Sequence, residues 1–243
     1  MSELLVKLRN LQIDAPTRTL IQGVNLDLMP ETVTALCGHS GSGKSLTARA
    51  IMGVLDVEPG IQAGSLFYPA LDPTKDWFQS VLKKGMSEQK RLLEETRHLR
   101  GSYFTYSPQS ASSALNPGRT IGRQLEMAIL RREQPPENIG EEIARKLAEV
   151  DLRMNVANAL PSELSGGMAQ RAALAIAVAP QPKLVVADEP ETGLDPVLRR
   201  GVIELLVRVV RQNGAGLLLI SHHDDTVARI ADQVIRLTPK EHA

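Results

Sequence analysis

Three features of the 243-residue sequence predict an α/β fold. The apolar run Val33 to Cys37 leads directly into a glycine-rich segment, and a helical pattern follows from Leu46 to Leu55. Two further runs have the apolar character of strands buried on both faces of a parallel sheet: Leu184 to Glu189, which ends in two carboxylates, and Gly216 to Ile220. Between these runs, apolar residues recur at helical spacing, for example from Ile139 to Val150. This alternation of strands and helices indicates a sheet with helices packed on it.

The glycine-rich segment fits the phosphate-binding P-loop pattern. Glycines without a Cβ atom let the backbone adopt positive φ and turn its amides toward phosphate oxygens at a helix N-terminus. Lys44 is predicted to reach the β- and γ-phosphates, and the Ser45 hydroxyl to ligate Mg²⁺. The candidates for nucleotide binding are therefore the residues of this segment, Gly38, His39, Ser40, Gly41, Ser42, Gly43, Lys44 and Ser45.

Two carboxylates end the apolar run that begins at Leu184. At the C-terminal end of a parallel strand they are expected in the crevice where such sheets bind ligands. Asp188 suits Mg²⁺, directly or through a water, because a hard cation takes oxygen ligands. Glu189 is placed to polarise an attacking water, a role worth about 10² to 10⁴ in rate.

Ser165, Gly166 and Gly167 precede a predicted helix from Met168 to Ala179. Ser165 is predicted to cap that helix, and the two glycines leave bare amides at its positive end. These amides form an anion site without a lysine of its own. A P-loop on one chain and this site on another would enclose a phosphate between them, which predicts a head-to-tail dimer. His222 follows the last apolar run, and its imidazole can donate a hydrogen bond to phosphate.

In this order the motifs resemble those of the ATP-binding-cassette (ABC) ATPases: P-loop, Q-loop glutamine, signature, Walker B with its glutamate, D-loop and H-loop. The resemblance extends from Leu4 to about Leu237. It implies a P-loop NTPase of the ABC-ATPase fold, with a RecA-like core, an antiparallel β-subdomain and an inserted α-helical subdomain. It also implies ATP and Mg²⁺ as cofactors and ATP hydrolysis as the activity.

The resemblance assigns roles to individual residues. The residues expected to take part in catalysis are Glu189, His222 and Gln109. The candidate Mg²⁺ ligands are Ser45, Gln109 and Asp188. Ser165, Gly166, Gly167 and the D-loop residue Asp195 are the residues expected to contact the ATP that the opposite protomer binds. The domain boundaries implied are a single ABC ATPase domain over 1–243, with a core and β-subdomain at 1–110 and 161–243, a helical subdomain at 111–160 and a helical insert at 72–98.

A narrower resemblance rests on Leu99-Arg100-Gly101, on Ala114-Leu115-Asn116-Pro117 and on Thr120 to Leu125. These stretches resemble the dipeptide, oligopeptide and nickel importer branch. The short nickel-type subunits look most similar, because the chain stops without the cysteine-bearing extension common in that branch. The branch implies uptake of nickel, metal chelates or peptides from the cytoplasmic face of the cell membrane. The implied partners are a second ABC ATPase subunit in a heterodimer, two transmembrane permease subunits and, indirectly, an extracytoplasmic substrate-binding protein. A non-transport ABC ATPase acting as a soluble assembly scaffold is the alternative.

Three features depart from the family pattern. No aromatic residue lies near 13–19, so we expect adenine recognition to be weak or to use Ile13 and Leu20. His223 stands where aspartate is usual. The insert is longer than in the branch, and its predicted helix from Glu88 to Arg100 is either packed on the small subdomain or a contact for a partner or regulator.

Charge and composition exclude several other classes of function. Basic and acidic residues balance at 28 each, so there is no electrostatic footprint for nucleic acid. The single cysteine, Cys37, excludes an intramolecular disulfide. No apolar run approaches the roughly 18 residues of a membrane span, and Met1 to Asn10 lacks the apolar core of a signal peptide. We therefore expect any work at a membrane to proceed through other chains.

Overall fold

The computed structural model describes residues 4–82, 85–108, 114–192 and 196–237. The strands are β1 (Val6–Ala15), β2 (Arg18–Leu28), β3 (Val33–Cys37), β4 (Gly60–Phe67), β5 (Phe104–Ser107), β6 (Leu184–Asp188), β7 (Gly216–Ile220) and β8 (Gln233–Arg236). The α-helices are α1 (Lys44–Ile51), α2 (Met86–Glu95), α3 (Ile121–Ile129), α4 (Ile139–Glu149), α5 (Gly166–Val178), α6 (Pro196–Gln212) and α7 (Asp224–Ile230). Short 3-10 helices span Arg97–Leu99, Met154–Asn158 and Pro161–Glu163.

The chain divides into two compact units, the first formed by Met1–Arg100 with Leu218–Ala243 and the second by Gly101–Leu217. The second unit combines the predicted helical subdomain with β5, β6 and α6. The finer boundaries inferred from the sequence stay a prediction.

The first unit contains a three-stranded antiparallel sheet in the order β2-β1-β4. Ile13 of β1 lies opposite Ile21 of β2 and Ile61 of β4, and all three side chains are buried. Along β1, Leu8 and Leu11 are both buried although they are three residues apart, because the register shifts between them. Asn10 adopts a φ of 48° at this bulge, which restores the apolar face after one extra residue.

The parallel strands follow the pattern of buried apolar runs. In the first unit the order is β7-β3-β8, in the second it is β5-β6-β7, and the division between the units falls within β7. Every residue of β3, β6 and β7 is buried, as their continuous apolar sequences predict. In the second unit the register of β5 and β6 pairs Tyr106 with Val186 and Ser107 with Ala187, so both strands end at the same edge.

The insert packs on its own unit. Thr96, just after α2, lies against Gly53, where a Cβ atom would come within 2.5 Å of the threonine hydroxyl. The Gln89 side chain of α2 lies against Gly60, where a Cβ atom would come within 2.3 Å of its amide group. The same side chain donates a hydrogen bond to the carbonyl oxygen of Val57. Trp77 and Phe78, just before the helix, are also buried. These contacts favour the first of the two interpretations of the insert.

Polar caps fix the ends of the helices that follow the Q-loop region. The Thr120 hydroxyl accepts a hydrogen bond from the Arg123 amide at the start of α3, and the Asn138 side chain accepts one from the Glu141 amide at the start of α4. The helices are separated where the sequence reads Gln134-Pro135-Pro136. Among the helices of the described ranges, none is long and apolar enough to cross a bilayer.

Candidate functional site

The P-loop of the first unit connects β3 to α1. Its glycines have φ values of 149° at Gly38, 80° at Gly41 and 93° at Gly43, which favour residues without a Cβ atom. A Cβ atom at Gly38 would lie 2.6 Å from the carbonyl oxygen of Leu237, and one at Gly43 would lie 2.6 Å from Cγ1 of Ile21. The backbone of this loop is therefore held close to its neighbours.

Lys44 is buried at the first position of α1. Its Nζ donates hydrogen bonds to the carbonyl oxygens of Gly38, at 2.9 Å, and His39, at 3.0 Å. Ser45 follows it, and its side chain is exposed, as are His39 and Ser40. An ammonium group at a helix N-terminus, beside a loop of glycines with positive φ, is a cradle for phosphate.

Walker B lies at the end of β6 in the second unit. The Asp188 side chain is only 8% exposed, and its Oδ2 accepts a hydrogen bond from the Tyr106 hydroxyl at 2.9 Å. Glu189 has a φ of 46°, in the left-handed region that non-glycine residues seldom adopt, and such residues cluster at functional sites. Its Oε2 accepts a hydrogen bond from Thr192 Oγ1 at 3.3 Å, which orients the carboxylate.

The donor chemistry of these segments fits Mg²⁺. The cation takes oxygen ligands, keeps several waters and is commonly held by one or two protein groups together with substrate phosphates. Ser45 offers an exposed hydroxyl one residue after the phosphate-binding lysine, and Asp188 offers a nearly buried carboxylate at the end of β6. Each residue is a candidate ligand for the ion, and their joint coordination of it stays a prediction.

The signature forms the N-terminus of α5. Ser165 Oγ accepts a hydrogen bond from the Met168 amide at 3.4 Å, so the predicted cap is present. Gly166 and Gly167 are exposed, and a Cβ atom built on either would meet no atom of the described residues within 4 Å. Packing against that part of the chain therefore does not require glycine at these positions. Open amides of this kind suit a ligand that arrives from outside the chain.

His222 follows β7 in the first unit, as predicted. The Ser221 amide donates a hydrogen bond to the carbonyl oxygen of Leu36, which places the end of β7 beside β3 and hence beside the strand that leads into the P-loop. The His222 ring lies 4.0 Å from that of His223, measured between centroids, with the planes tilted by 42°. Within the first unit, the H-loop and the P-loop thus follow neighbouring strands.

The remaining two predicted site residues, Gln109 and Asp195, lie outside the described residues, and their roles stay predictions. Sequence reasoning missed Tyr106 and Thr192, whose side chains contact the two Walker B carboxylates. It also missed Gln170, which donates a short hydrogen bond from α5 to the carbonyl oxygen of Pro190. A signal for Tyr106 was available, because it lies three residues before the predicted Q-loop residue Gln109.

Comparisons with known proteins identify the family. The model of the ABC transporter family matches residues 21–192. The oligopeptide transport ATP-binding protein OppD of Bacillus subtilis is 31% identical over 218 residues, which cover 88% of this chain and 57% of OppD. The peptidoglycan transport ATP-binding protein YejF of Agrobacterium fabrum is 34% identical over 228 residues, which cover 91% of this chain and 39% of YejF. This chain thus spans well under two thirds of either relative.

A solved structure has the same fold. CbiO1 from Clostridium perfringens, part of the ABC transporter complex CbiONQ, superposes with a TM-score of 0.76 at 20% identity, covering 97% of this chain and 85% of CbiO1. The predicted ABC-ATPase fold is therefore confirmed. The chain belongs to the ABC transporter family as an ATPase domain, and it is similar to ATP-binding proteins of oligopeptide transport.

Proposed function

We propose that the chain binds and hydrolyses ATP as one subunit of an importer for di- or oligopeptides, or for nickel or another metal chelate, at the cytoplasmic face of the cell membrane. The observation that carries the proposal is the pair of phosphate-binding elements in one sequence. One element is the P-loop with its buried Lys44, and the other is the open helix N-terminus at Gly166 and Gly167. The similarity to OppD favours a peptide as the substrate.

In the proposed reaction the P-loop amides and Lys44 hold the phosphates of ATP. Mg²⁺, when bound, neutralises charge on the phosphates. Glu189, oriented by Thr192, positions the attacking water for in-line displacement of the γ-phosphate. His222 and Gln109 sense the γ-phosphate, and opening and closing of the ATP-bound dimer move the membrane subunits.

The proposed partners follow from the signature and from exposed apolar side chains. Because Gly166 and Gly167 are exposed at the start of α5, we assign their amides to the ATP of a second ABC ATPase subunit, in a heterodimer, with Asp195 contributing to that interface. In the second unit, the side chains of Met127, Leu130 and Met154 are exposed, and we assign them to contact with one of two transmembrane permease subunits. An extracytoplasmic substrate-binding protein would deliver the substrate to those permeases.

A pull-down tests the proposal. The tagged chain is recovered from detergent-solubilised membranes of its native host, and stoichiometric partners are identified by mass spectrometry. We expect two multi-span proteins and a second ATPase. Leu130→Asp should lose the multi-span proteins and keep ATP binding, while Leu71→Asp, which alters an equally exposed leucine in the first unit, should lose neither. Recovery of soluble partners alone would contradict import and favour the assembly scaffold.

A further inference from the structure

We propose that Tyr106 is a positioning residue for Asp188 and that its hydroxyl sets the affinity of the site for the divalent cation. The inference rests on the proposed function, because it concerns the cation that accompanies ATP. It adds a residue that the P-loop, Walker B and signature motifs do not include.

The register of the parallel strands brings the two side chains together. Tyr106 of β5 lies opposite Val186 of β6, and Asp188 is two residues further along β6. Side chains two residues apart in a strand point to the same face, so Asp188 shares the face of Val186 and of Tyr106. The long tyrosine side chain covers the remaining distance, and its hydroxyl oxygen lies 2.9 Å from Asp188 Oδ2.

The chemistry of this contact is directional. A phenol donates one proton, and a carboxylate accepts hydrogen bonds at either oxygen. A hydrogen bond to an ionised acceptor is roughly twice as strong as one between neutral groups. Because Oδ2 accepts the hydrogen bond that the Tyr106 hydroxyl donates, the carboxylate is held in one rotamer with Oδ1 directed elsewhere. We assign Oδ1 to the cation or to a water of its coordination shell.

Burial makes the orientation matter. Asp188 is 8% exposed, so water can replace only part of a lost hydrogen bond to its carboxylate. Tyr106 is 41% exposed, so its ring is only partly packed and its hydroxyl can be removed with little effect on the core. Partners that orient a metal-binding carboxylate typically change metal affinity by about 10-fold to 100-fold when they are mutated.

The test uses Tyr106→Phe in the full chain and measures cation binding directly. Mn²⁺ replaces Mg²⁺, and free Mn²⁺ is followed by electron paramagnetic resonance in the presence of ATP, with Glu189→Gln in every sample to prevent turnover. We expect the dissociation constant for Mn²⁺ to rise about tenfold. Binding of ATP without a divalent cation should stay within about twofold, because the P-loop is unchanged.

The matched control is Thr105→Val on the neighbouring residue of the same strand. The Thr105 hydroxyl is buried and has no hydrogen-bond partner among the residues that the structure describes. The control should bind Mn²⁺ with the same dissociation constant as the Glu189→Gln parent.

Two outcomes would overturn the inference. One is a dissociation constant for Mn²⁺ in Tyr106→Phe equal to that of the parent. The other is an equal rise of this constant in both variants, which would indicate a disturbed sheet. The proposed function is judged separately. It stands in either case if the Glu189→Gln parent binds ATP and Mn²⁺ and the unaltered chain hydrolyses ATP. An unaltered chain that neither binds nor hydrolyses ATP would contradict the proposed function as well.

Discussion

The ammonium group of Lys44 lies 2.9 Å from the carbonyl oxygen of Gly38. The lysine at the start of α1 thus closes the loop on itself by bonding to the residue with which the loop begins. A second bond, to His39, holds the same ammonium group. A bound phosphate therefore competes with these backbone carbonyl oxygens for the ammonium group.

Lys44→Met should weaken ATP binding by at least about 100-fold, because a charge 4 Å from a phosphate contributes roughly 4 kcal/mol before desolvation at an effective dielectric constant near 20. The measurement is a titration with a fluorescent ATP analogue, alongside thermal unfolding. Lys7→Met, at an exposed position of β1, is the control and should bind normally. Affinity near that of the unaltered chain in Lys44→Met would remove this lysine from the site.

Gly167→Ala should lower ATP hydrolysis without lowering the stability of the fold. A Cβ atom at Gly167 would meet nothing within 4 Å among the residues that the structure describes, so the unfolding temperature should not fall. Hydrolysis by the assembled dimer should fall at least about tenfold, because the added methyl group would keep the phosphate from approaching the amides, and one lost hydrogen bond to transition-state charge typically costs that much or more. Gly201→Ala is the matched control, since Gly201 is exposed in α6 and equally open. Full activity in Gly167→Ala would argue against a signature contact to ATP.

Glu142 of α4 is the centre of a buried ion-pair network. Its carboxylate accepts hydrogen bonds from Arg132 and Arg145. Burial raises the pKa of this carboxyl, but the hydrogen bonds from the two arginines outweigh it, and the pKa lies below its ordinary value of 4.5. The network therefore contributes its full stability above about pH 4.5 and loses it as the pH falls through the lower folded-state value.

Glu142→Gln should lower the free energy of unfolding at pH 7 by about 3 kcal/mol, because it leaves a buried arginine without its counter-charge. Urea unfolding from pH 7 down to pH 3 measures the effect. The gap between the variant and the unaltered chain should narrow as the pH falls below 4.5. Glu141→Gln changes an exposed neighbour on the same helix and should give no such gap. A gap independent of pH would contradict the ionic origin of the effect.

Adenine recognition should be weakly selective. Two residues were proposed to contact adenine, and the proposal for Ile13 was wrong. Its side chain is fully buried on β1, which pairs with β2 and β4. Leu20 is half-buried beside the P-loop, with its carbonyl oxygen 3.5 Å from the Cβ position of Gly43. A leucine contributes neither the stacking energy of about 1 to 3 kcal/mol that an aromatic ring gives a base nor a hydrogen bond that reads it.

We therefore expect the Michaelis constants for ATP and GTP to agree within about threefold, and Leu20→Tyr to tighten both, because every base has a face on which a ring stacks. Competition between ATP and GTP in the hydrolysis assay measures the ratio. Leu71→Tyr adds a ring at an exposed position of the same unit and is the control. A strong preference of the unaltered chain for ATP would place base-reading groups elsewhere.

The sequence predicts the backbone of the site well, because glycine spacing and apolar runs are local signals. The P-loop between β3 and α1 and the cap at Ser165 both lie where their motifs place them. The end of α1 was predicted less well. The apolar pattern continues to Leu55, but the helix stops at Ile51, and Gly53 adopts a φ of 68° against Thr96.

Side-chain partners from distant parts of the chain could not be predicted in the same way. The contact between Tyr106 and Asp188 depends on the register of β5 against β6, which no local pattern specifies. The bond from Gln170 to Pro190 depends on how α5 packs beside the turn after β6. Such contacts follow from tertiary packing, which is why the missed site residues are those that support the motif residues.

The most direct test of the central claim measures ATP hydrolysis by the assembled complex with the unaltered chain and with Glu189→Gln. ATP binding is measured on the same samples by retention of radiolabelled nucleotide. We expect Glu189→Gln to keep ATP binding and to lower hydrolysis at least about 100-fold, since a positioned general base contributes about 10² to 10⁴ in rate. Hydrolysis by Glu189→Gln near the unaltered rate would contradict the assignment of Glu189, and absence of hydrolysis in the unaltered complex would contradict the ATPase itself.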